Sequence, residues 1–353
     1  MDNKHIQESA AKGRRIHELY HGKLKRVGDP FVSVDDEVDA IIKHKKPHEF
    51  FFEMLSSKDE KYKTPKEFLN KNFKQVHEHI KKNFDFLNDI FGPWKKRTAF
   101  FNKEIDGHAH EKAQDYAFIK KYSNLKKNIN HLDLGPGMAG ASFYSLFFFK
   151  SNYFALEAQP MMYSLQDLVF KLNTAHYKSS FDKNFKYLNA IEMESFGNSY
   201  SDIHKYIKKK QTRLNLIPSW MFNAIPDNSI DLVTATWMLN EVNTAGILWL
   251  ISNASRCMKK NSYFYINDNN SDDHIHKPLR HSINYDLLLL KIGFKEVKRF
   301  RMKNRINYRG SPRIFKKISD KKISYEELIK QELDKFSIKQ HGELYDPHRS
   351  EIS

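Results

Sequence analysis

The segment His131-Leu-Asp-Leu-Gly-Pro-Gly-Met-Ala-Gly140 has the residue types and spacing of a ligand-binding turn. Gly135, Gly137 and Gly140 satisfy G-x-G-x-x-G between a short apolar run and a helical one. Glycine there lets the backbone approach a ligand closely, with a helix N-terminus behind it. Glu157 follows at the end of the next apolar run, where a carboxylate can accept both hydroxyls of a ribose. Three readings fit the loop: a tight turn, a nicotinamide or flavin site, and an S-adenosylmethionine (SAM) site. The acidic strand end speaks against a bare turn. Asp133 separates the other two, because a carboxylate two residues before the first glycine repels a pyrophosphate. It attracts a ligand that carries an ammonium and a sulfonium, as SAM does.

The loop resembles motif I of class I SAM-dependent methyltransferases, hydrophobic-Asp-x-Gly-x-Gly, and later motifs follow in order over about 130–300. Ile225-Pro-Asp-Asn-Ser-Ile-Asp-Leu-Val233 resembles the family's P-D-N-S-F-D-hydrophobic run entering the fourth strand. The resemblance implies SAM as cofactor, held by Asp133, Gly135, Pro136, Gly137, Glu157, Ala158, Ser219, Trp220 and Thr236. Ser219 departs from the family, which often has an adenine-contacting Asp there. That removes a side-chain contact to the adenine amino group but not the pocket. Trp220 reads equally well as ordinary core packing.

A second resemblance concerns the acceptor. The stretch from Leu239-Asn-Glu-Val-Asn243 to Tyr263-Phe-Tyr-Ile-Asn267 is similar to the sugar O-methyltransferases of bacterial polysaccharide gene clusters. This implies O-methylation of a sugar hydroxyl in surface-polysaccharide biosynthesis, on a saccharide or a nucleotide- or lipid-linked sugar. A hydroxyl is a poor nucleophile, so a base or a metal must take or weaken its proton. Glu241, Asp268 and His274 are the candidate catalytic residues. Asp268, Asp272, His274 and His276 are candidate ligands for a divalent metal, and Asp273 lies among them. A solvated polar loop explains the same run, and helix capping explains Glu241. His108 and His110 read as an exposed loop that could close over the site.

Positioning such groups requires a frame. From 129 onward short apolar runs alternate with helical ones, the signature of βαβ units and a mainly parallel sheet. Strands are expected near 129–134, 152–157, 213–217, 230–236 and 262–267. Helices are expected near 138–149, 161–173 and 244–259, with a helical insertion over about 176–211. The fold class is therefore α/β, and the resemblance makes it a Rossmann-like, seven-stranded class I methyltransferase sheet. Residues 1–128 read as a helical N-terminal domain, with one helix from about Glu111 to Tyr122. The SAM-binding domain spans 129–318, and 319–353 form a charged helix and tail.

The 353 residues carry 59 basic and 43 acidic side chains, a net charge of +16. The excess lies in the flanks, at +7 for 1–130 and +7 for 271–353, against +2 between them. Residues 291–322 hold thirteen basic residues and two acidic ones. Period-two alternation from Phe300 to Arg309 predicts a strand with Arg301, Lys303, Arg305 and Arg309 on one face. An anionic membrane surface, a sugar diphosphate or nucleic acid would suit it, nucleic acid least. Cys257 alone excludes an internal disulfide and a cysteine-cluster zinc site. With no secretory h-region and no run long enough to span a bilayer, the chain reads as cytoplasmic. Two rivals remain: an RNA or small-molecule N-methyltransferase, and an inactive SAM-binding scaffold. No D/N-P-P-Y/F tetrapeptide supports the first. The Asp133–Glu157 pair argues against the second. Oligomeric state is not legible.

Overall fold

The computed structural model describes Lys74, His77, Glu78 and residues 98–333, except 138, 159, 181–182, 196, 198–199, 210–211, 240–243, 269–283, 301–310 and 321–322. Helix α1 (Thr98–Tyr122) precedes the sheet. Next come β1 (Asn130–Leu134), α2 (Gly140–Phe149), β2 (Asn152–Glu157) and α3 (Pro160–Ser180). The segment expected to be a helical insertion holds a short strand, β3 (Tyr187–Asn189), and helices α4 (Ala190–Ser195) and α5 (Tyr200–Lys208). Then follow β4 (Leu214–Pro218), a 3₁₀ turn (Ser219–Ala224), β5 (Ile230–Thr236) and α6 (Thr244–Cys257). The chain continues through β6 (Met258–Asp268), α7 (Tyr285–Lys291), β7 (Phe294–Arg299), β8 (Ser311–Lys317) and α8 (Tyr325–Leu333).

The eight strands lie in the order β3-β4-β2-β1-β5-β6-β8-β7. Only β8 runs antiparallel to its neighbours, β6 and β7. Without β3 this is the seven-stranded sheet expected from the sequence. The eighth strand comes from the insertion, whose three-residue β3 pairs with β4 at the edge. Its side chains are tied to α3: Asn189 Nδ2 and Tyr187 OH both donate to Asp167 Oδ1, at 2.8 Å each. A strand this short carries too little periodicity to be read in advance.

Both faces of the sheet are covered, so the central strands are buried along their length. Alternation sorts the side chains. Tyr153, Ala155, Leu232, Tyr263 and Tyr265 pack with α1, α2 and α3. Leu132, Leu134, Phe154, Val233, Phe264 and Ile266 pack with α5, α6 and α7 on the other face. His131 and Asp133, in phase between Leu132 and Leu134, therefore sit on the α1 face.

Several boundaries differ from expectation. Helix α1 begins at Thr98, so His108 and His110 are helical and not in a loop. Strand β6 starts at Met258, directly after α6. The final hairpin is present as β7 and β8, but 301–310 lie outside the described residues, so the alternating strand expected at Phe300–Arg309 lies there apart from Phe300. The basic run is also less available than its composition suggests. Arg313 and Lys317 are buried, and Arg299 is paired with Glu296 and Asp286. Helix α8 packs against α6, with Leu328 buried. Among the described residues, no helix is long and apolar enough to cross a membrane. Most of the expected N-terminal domain lies outside them.

Candidate functional site

The chain leaves β1 for β2, continues outward to β4, then returns to β5 on the other side of β1. That reversal opens a crevice beyond the C-terminal ends of β1 and β5, the place where open α/β sheets bind ligands. Two loops line it, Gly135–Ala139 after β1 and Trp237–Leu239 after β5. They touch: a Cβ at Gly135 would lie 2.5 Å from Met238 Cγ.

The glycine loop turns by left-handed backbone at Gly135 (φ +60°) and Gly137 (φ +54°). Gly135 N–H donates to Leu156 O at 3.0 Å, carrying the β1–β2 pairing into the loop. Space is open where a Cβ on Gly137 would project. Ala139, itself left-handed, caps α2, and Ser142 Oγ donates to its carbonyl at 2.6 Å.

Glu157 closes β2. Its Oε1 accepts from Ala158 N–H, and its Oε2 accepts from Gln166 Nε2, both at 2.8 Å. The same Gln166 nitrogen donates to Gly137 O at 2.9 Å. One amide of α3 therefore fixes the distance between the glycine loop and the carboxylate. Gln166 Oε1 is buried and has no partner. Pro218 pairs with Glu157 across β2 and β4, and Ser219, buried at the start of the 3₁₀ turn, is the next residue beyond that pair. Trp220 follows in that turn.

Asp133 is enclosed. Tyr153 OH donates to its Oδ2 at 2.5 Å and Thr234 Oγ1 to its Oδ1 at 2.6 Å. Burial raises its pKa, and the two hydroxyls oppose that rise. Because the Thr234 proton points at Asp133, His131 Nε2 must donate to Thr234 Oγ1 (2.8 Å), leaving Nδ1 to accept from Ser145 Oγ (2.7 Å). Burial holds His131 neutral, with its pKa lowered to about 3. This chain of hydroxyls and rings joins β1, β2 and β5 on the α1 face.

Across the crevice, α1 supplies charge. Lys112 Nζ donates to Thr236 Oγ1 at 3.0 Å, so this hydroxyl, expected to face the cofactor, is engaged by α1. Asp115 Oδ1 accepts from Tyr265 OH (2.6 Å) and Asn267 Nδ2 (2.8 Å). Trp237 Nε1 donates to Glu111 Oε1 at 2.8 Å, and its N–H donates to Asn267 O at 3.1 Å. Trp237 has φ +58°, a conformation that a bulky residue adopts only when its surroundings impose it.

The candidate catalytic residues are divided. Asp268 ends β6 fully buried, and its carbonyl accepts from Arg313 Nη1 at 2.8 Å. Glu241, Asp272, Asp273, His274 and His276 lie outside the described residues. Among the described residues no group of three or more His, Cys, Asp or Glu could hold a metal ion. His110 contacts the His77 ring, at 5.4 Å between centroids.

Sequence reasoning missed Gln166, Glu111, Lys112, Asp115 and Asn267. A signal for the α1 pair existed. Lys112 and Asp115 stand one turn before the buried Tyr116 and Ile119, so two charged residues occupy core-facing positions of that helix.

The residues present fit SAM: an open space at Gly137, a fixed carboxylate at Glu157, and an unpaired buried amide oxygen beside both. The sheet is of the mixed α/β, Rossmann-like kind, parallel but for one reversed strand. No family model matches the chain, and no curated protein does. Solved structures are similar. A SAM-dependent methyltransferase from Aquifex aeolicus is 14% identical, with 58% of this chain and 89% of that one covered and a TM-score of 0.37. Geranyl diphosphate C-methyltransferase from Streptomyces coelicolor A3(2), in complex with Mg²⁺, geranyl diphosphate and S-adenosylhomocysteine, is 9% identical, with coverages of 60% and 80% and a TM-score of 0.40. Haemonchus contortus phosphoethanolamine N-methyltransferase 1, in complex with phosphoethanolamine and S-adenosylhomocysteine, is 14% identical, with coverages of 76% and 55% and a TM-score of 0.39.

Proposed function

We propose that this chain is a SAM-dependent methyltransferase that O-methylates a sugar hydroxyl in surface-polysaccharide assembly. The observation that carries the cofactor is the bridge from Gly137 through Gln166 to Glu157. It spaces a close-approach backbone and a ribose-accepting carboxylate at the switch point of the sheet. In this reading Glu157 accepts the ribose hydroxyls, Gln166 Oε1 accepts a further ligand hydrogen, and Ser219 and Trp220 frame adenine. Gly135, Pro136, Gly137 and Ala158 form the backbone cradle. Asp133 acts through its charge, since its oxygens are taken by Tyr153 and Thr234. Bound SAM would supply an electrophilic methyl group. The protein would align an acceptor oxygen with it, keep water out and take the acceptor's proton.

The sugar acceptor is supported by the likeness of the 239–267 stretch to polysaccharide-cluster O-methyltransferases. Calorimetric titration with SAM tests the cofactor. Wild type is expected to bind at micromolar concentrations. Glu157→Ala is expected to lose at least tenfold in affinity, as hydrogen bonds to a charged group are worth about 1.5–3 kcal/mol. A folded wild type that does not bind SAM would sink the reading.

A further inference from the structure

The α1 end of the crevice holds more polar capacity than the protein uses. Lys112 Nζ makes one hydrogen bond, to Thr236, and is ion-paired with Asp115 Oδ2 at 3.6 Å, longer than a hydrogen bond. An ammonium has three donors. Asp115 Oδ2 and Asn267 Oδ1 accept no hydrogen bond, although both residues are 1% exposed. Buried polar atoms are ordinarily paired. Here a donor and two acceptors are left over in one cluster, at the ends of β5 and β6 and beside the strained Trp237.

The chemistry of the set selects its ligand. An anion would face Asp115 and Glu111, and a cation would face Lys112. A neutral hydroxyl accepts from Lys112 and donates to Asp115. A neighbouring hydroxyl on the same molecule can donate to Asn267. Polyhydroxylated carbon chains and rings have this pattern.

We infer that Lys112, Asp115 and Asn267 bind the acceptor hydroxyl, and that Asp115 is the base that takes its proton. The inference rests on the methyltransferase reading above. The acceptor oxygen attacks the methyl carbon, and the new O–C bond forms as the S–C bond breaks. The electron pair of that bond stays on sulfur, and the hydroxyl proton moves to Asp115 Oδ2. Sulfonium and carboxylate both end neutral, so charge balances inside a buried site.

The surroundings of Asp115 suit this role. Burial lifts its pKa to about 6; Lys112 opposes the rise and Glu111 adds to it. Tyr265 and Asn267 of β6 hydrogen-bond the carboxylate, and Tyr144 of α2 lies within electrostatic range. A base near neutrality is ionised at working pH and still accepts a proton readily. The ionised form is the active one, so transfer falls as pH drops through about 6.

The test measures methyl transfer from radiolabelled SAM to UDP-glucose, UDP-galactose, GDP-mannose and GDP-fucose, with phosphoethanolamine and tRNA as charged alternatives. Wild type, Asp115→Asn, Asp115→Glu and Lys112→Met are compared, with thermal melting to check folding and calorimetry for SAM. The inference expects transfer to at least one nucleotide sugar, with kcat/KM falling below pH about 6. Asp115→Asn should lose about 100-fold or more in kcat with SAM affinity kept, and Asp115→Glu should recover part of it. Lys112→Met should raise acceptor KM about tenfold with less effect on kcat. A wild type that binds SAM but methylates none of the sugars, or prefers phosphoethanolamine or tRNA, overturns the inference and leaves the cofactor reading intact. So does a folded Asp115→Asn enzyme with wild-type kcat, which would make these orphaned atoms the seat of a buried water. Failure of wild type to bind SAM overturns both.

Discussion

The two walls of the crevice are built by different means. On the β1–β2 side the contacts that fix the glycine loop and the carboxylate span at most 29 residues: Gly135 to Leu156, Gly137 to Gln166, Gln166 to Glu157. On the β5–β6 side the contacts bridge 124 to 152 residues, from α1 to Thr236, Trp237, Tyr265 and Asn267. The first wall holds its carboxylates, Asp133 and Glu157, in hydrogen bonds and is nearly satisfied. The second is charged and leaves acceptors unfilled. A cofactor common to many reactions suits a local, rigid cradle, whereas an acceptor that distinguishes one enzyme from another suits a wall contributed by a separate helix.

The largest effect should come from the frame behind the second wall. Arg313→Ala removes the guanidinium that pairs with Asp286 and reaches the Asp268 carbonyl, and should lower stability by about 3 kcal/mol, read by urea denaturation. SAM affinity should hardly change, because β8 lies away from the first wall. An equal loss of SAM binding in the folded variant would break the separation of the walls.

Within the first wall two glycines should differ. Gly135→Ala carries both a left-handed backbone and a contact 2.5 Å from Met238, and should cost about 2 kcal/mol or more. Gly137→Ala carries the backbone strain alone, about 1 kcal/mol, but its Cβ enters the open space. The second should therefore lose more SAM affinity than its melting temperature suggests. Gln166→Leu should come next, with about 1 kcal/mol of stability and roughly tenfold in SAM affinity lost.

The smallest effect concerns acid. His131 has a folded pKa of about 3, against an ordinary value near 6.5. The unfolded chain binds that proton first, so the stability from the neutral ring is complete above pH 6.5 and is lost as pH falls toward 3. Asp115 acts oppositely: its raised pKa makes the folded state bind a proton first, which favours folding as pH falls from about 6 toward 4. His131→Asn should flatten the fall in melting temperature between pH 6.5 and 4. An unchanged slope would remove His131 from the account.

The parallel sheet, and the glycine turn and strand-end carboxylate of the first wall though not its bridging Gln166, were legible in the sequence for one reason. A strand, a glycine turn, a helix and an acidic strand end occur within thirty residues, so local spacing reports tertiary geometry. The second wall was only half legible. Lys112 and Asp115 stand at core-facing helical positions, which marks them as unusual, but nothing in the spacing says that Asn267 and Thr236 are their partners. The basic run misled for a related reason. Composition counts Arg313 and Lys317 as surface charge, whereas packing turns both inward, Arg313 onto Asp286 and main-chain carbonyls and Lys317 onto the carbonyls of Ser255 and Met258.

Arg313 also sets how this part of the molecule comes apart. Its Nε donates to Asp286 at 2.6 Å, and its Nη1 donates to the carbonyls of Asp268 (2.8 Å) and Ser311 (2.6 Å). Peeling β8 from β6, or lifting α7 alone, would strand a cation in an apolar interior. The end of β6, α7 and β8 therefore open in one concerted event. Their amides should exchange with solvent at a shared rate, slower than those of edge strand β3, even though β8 stands next to last in the sheet.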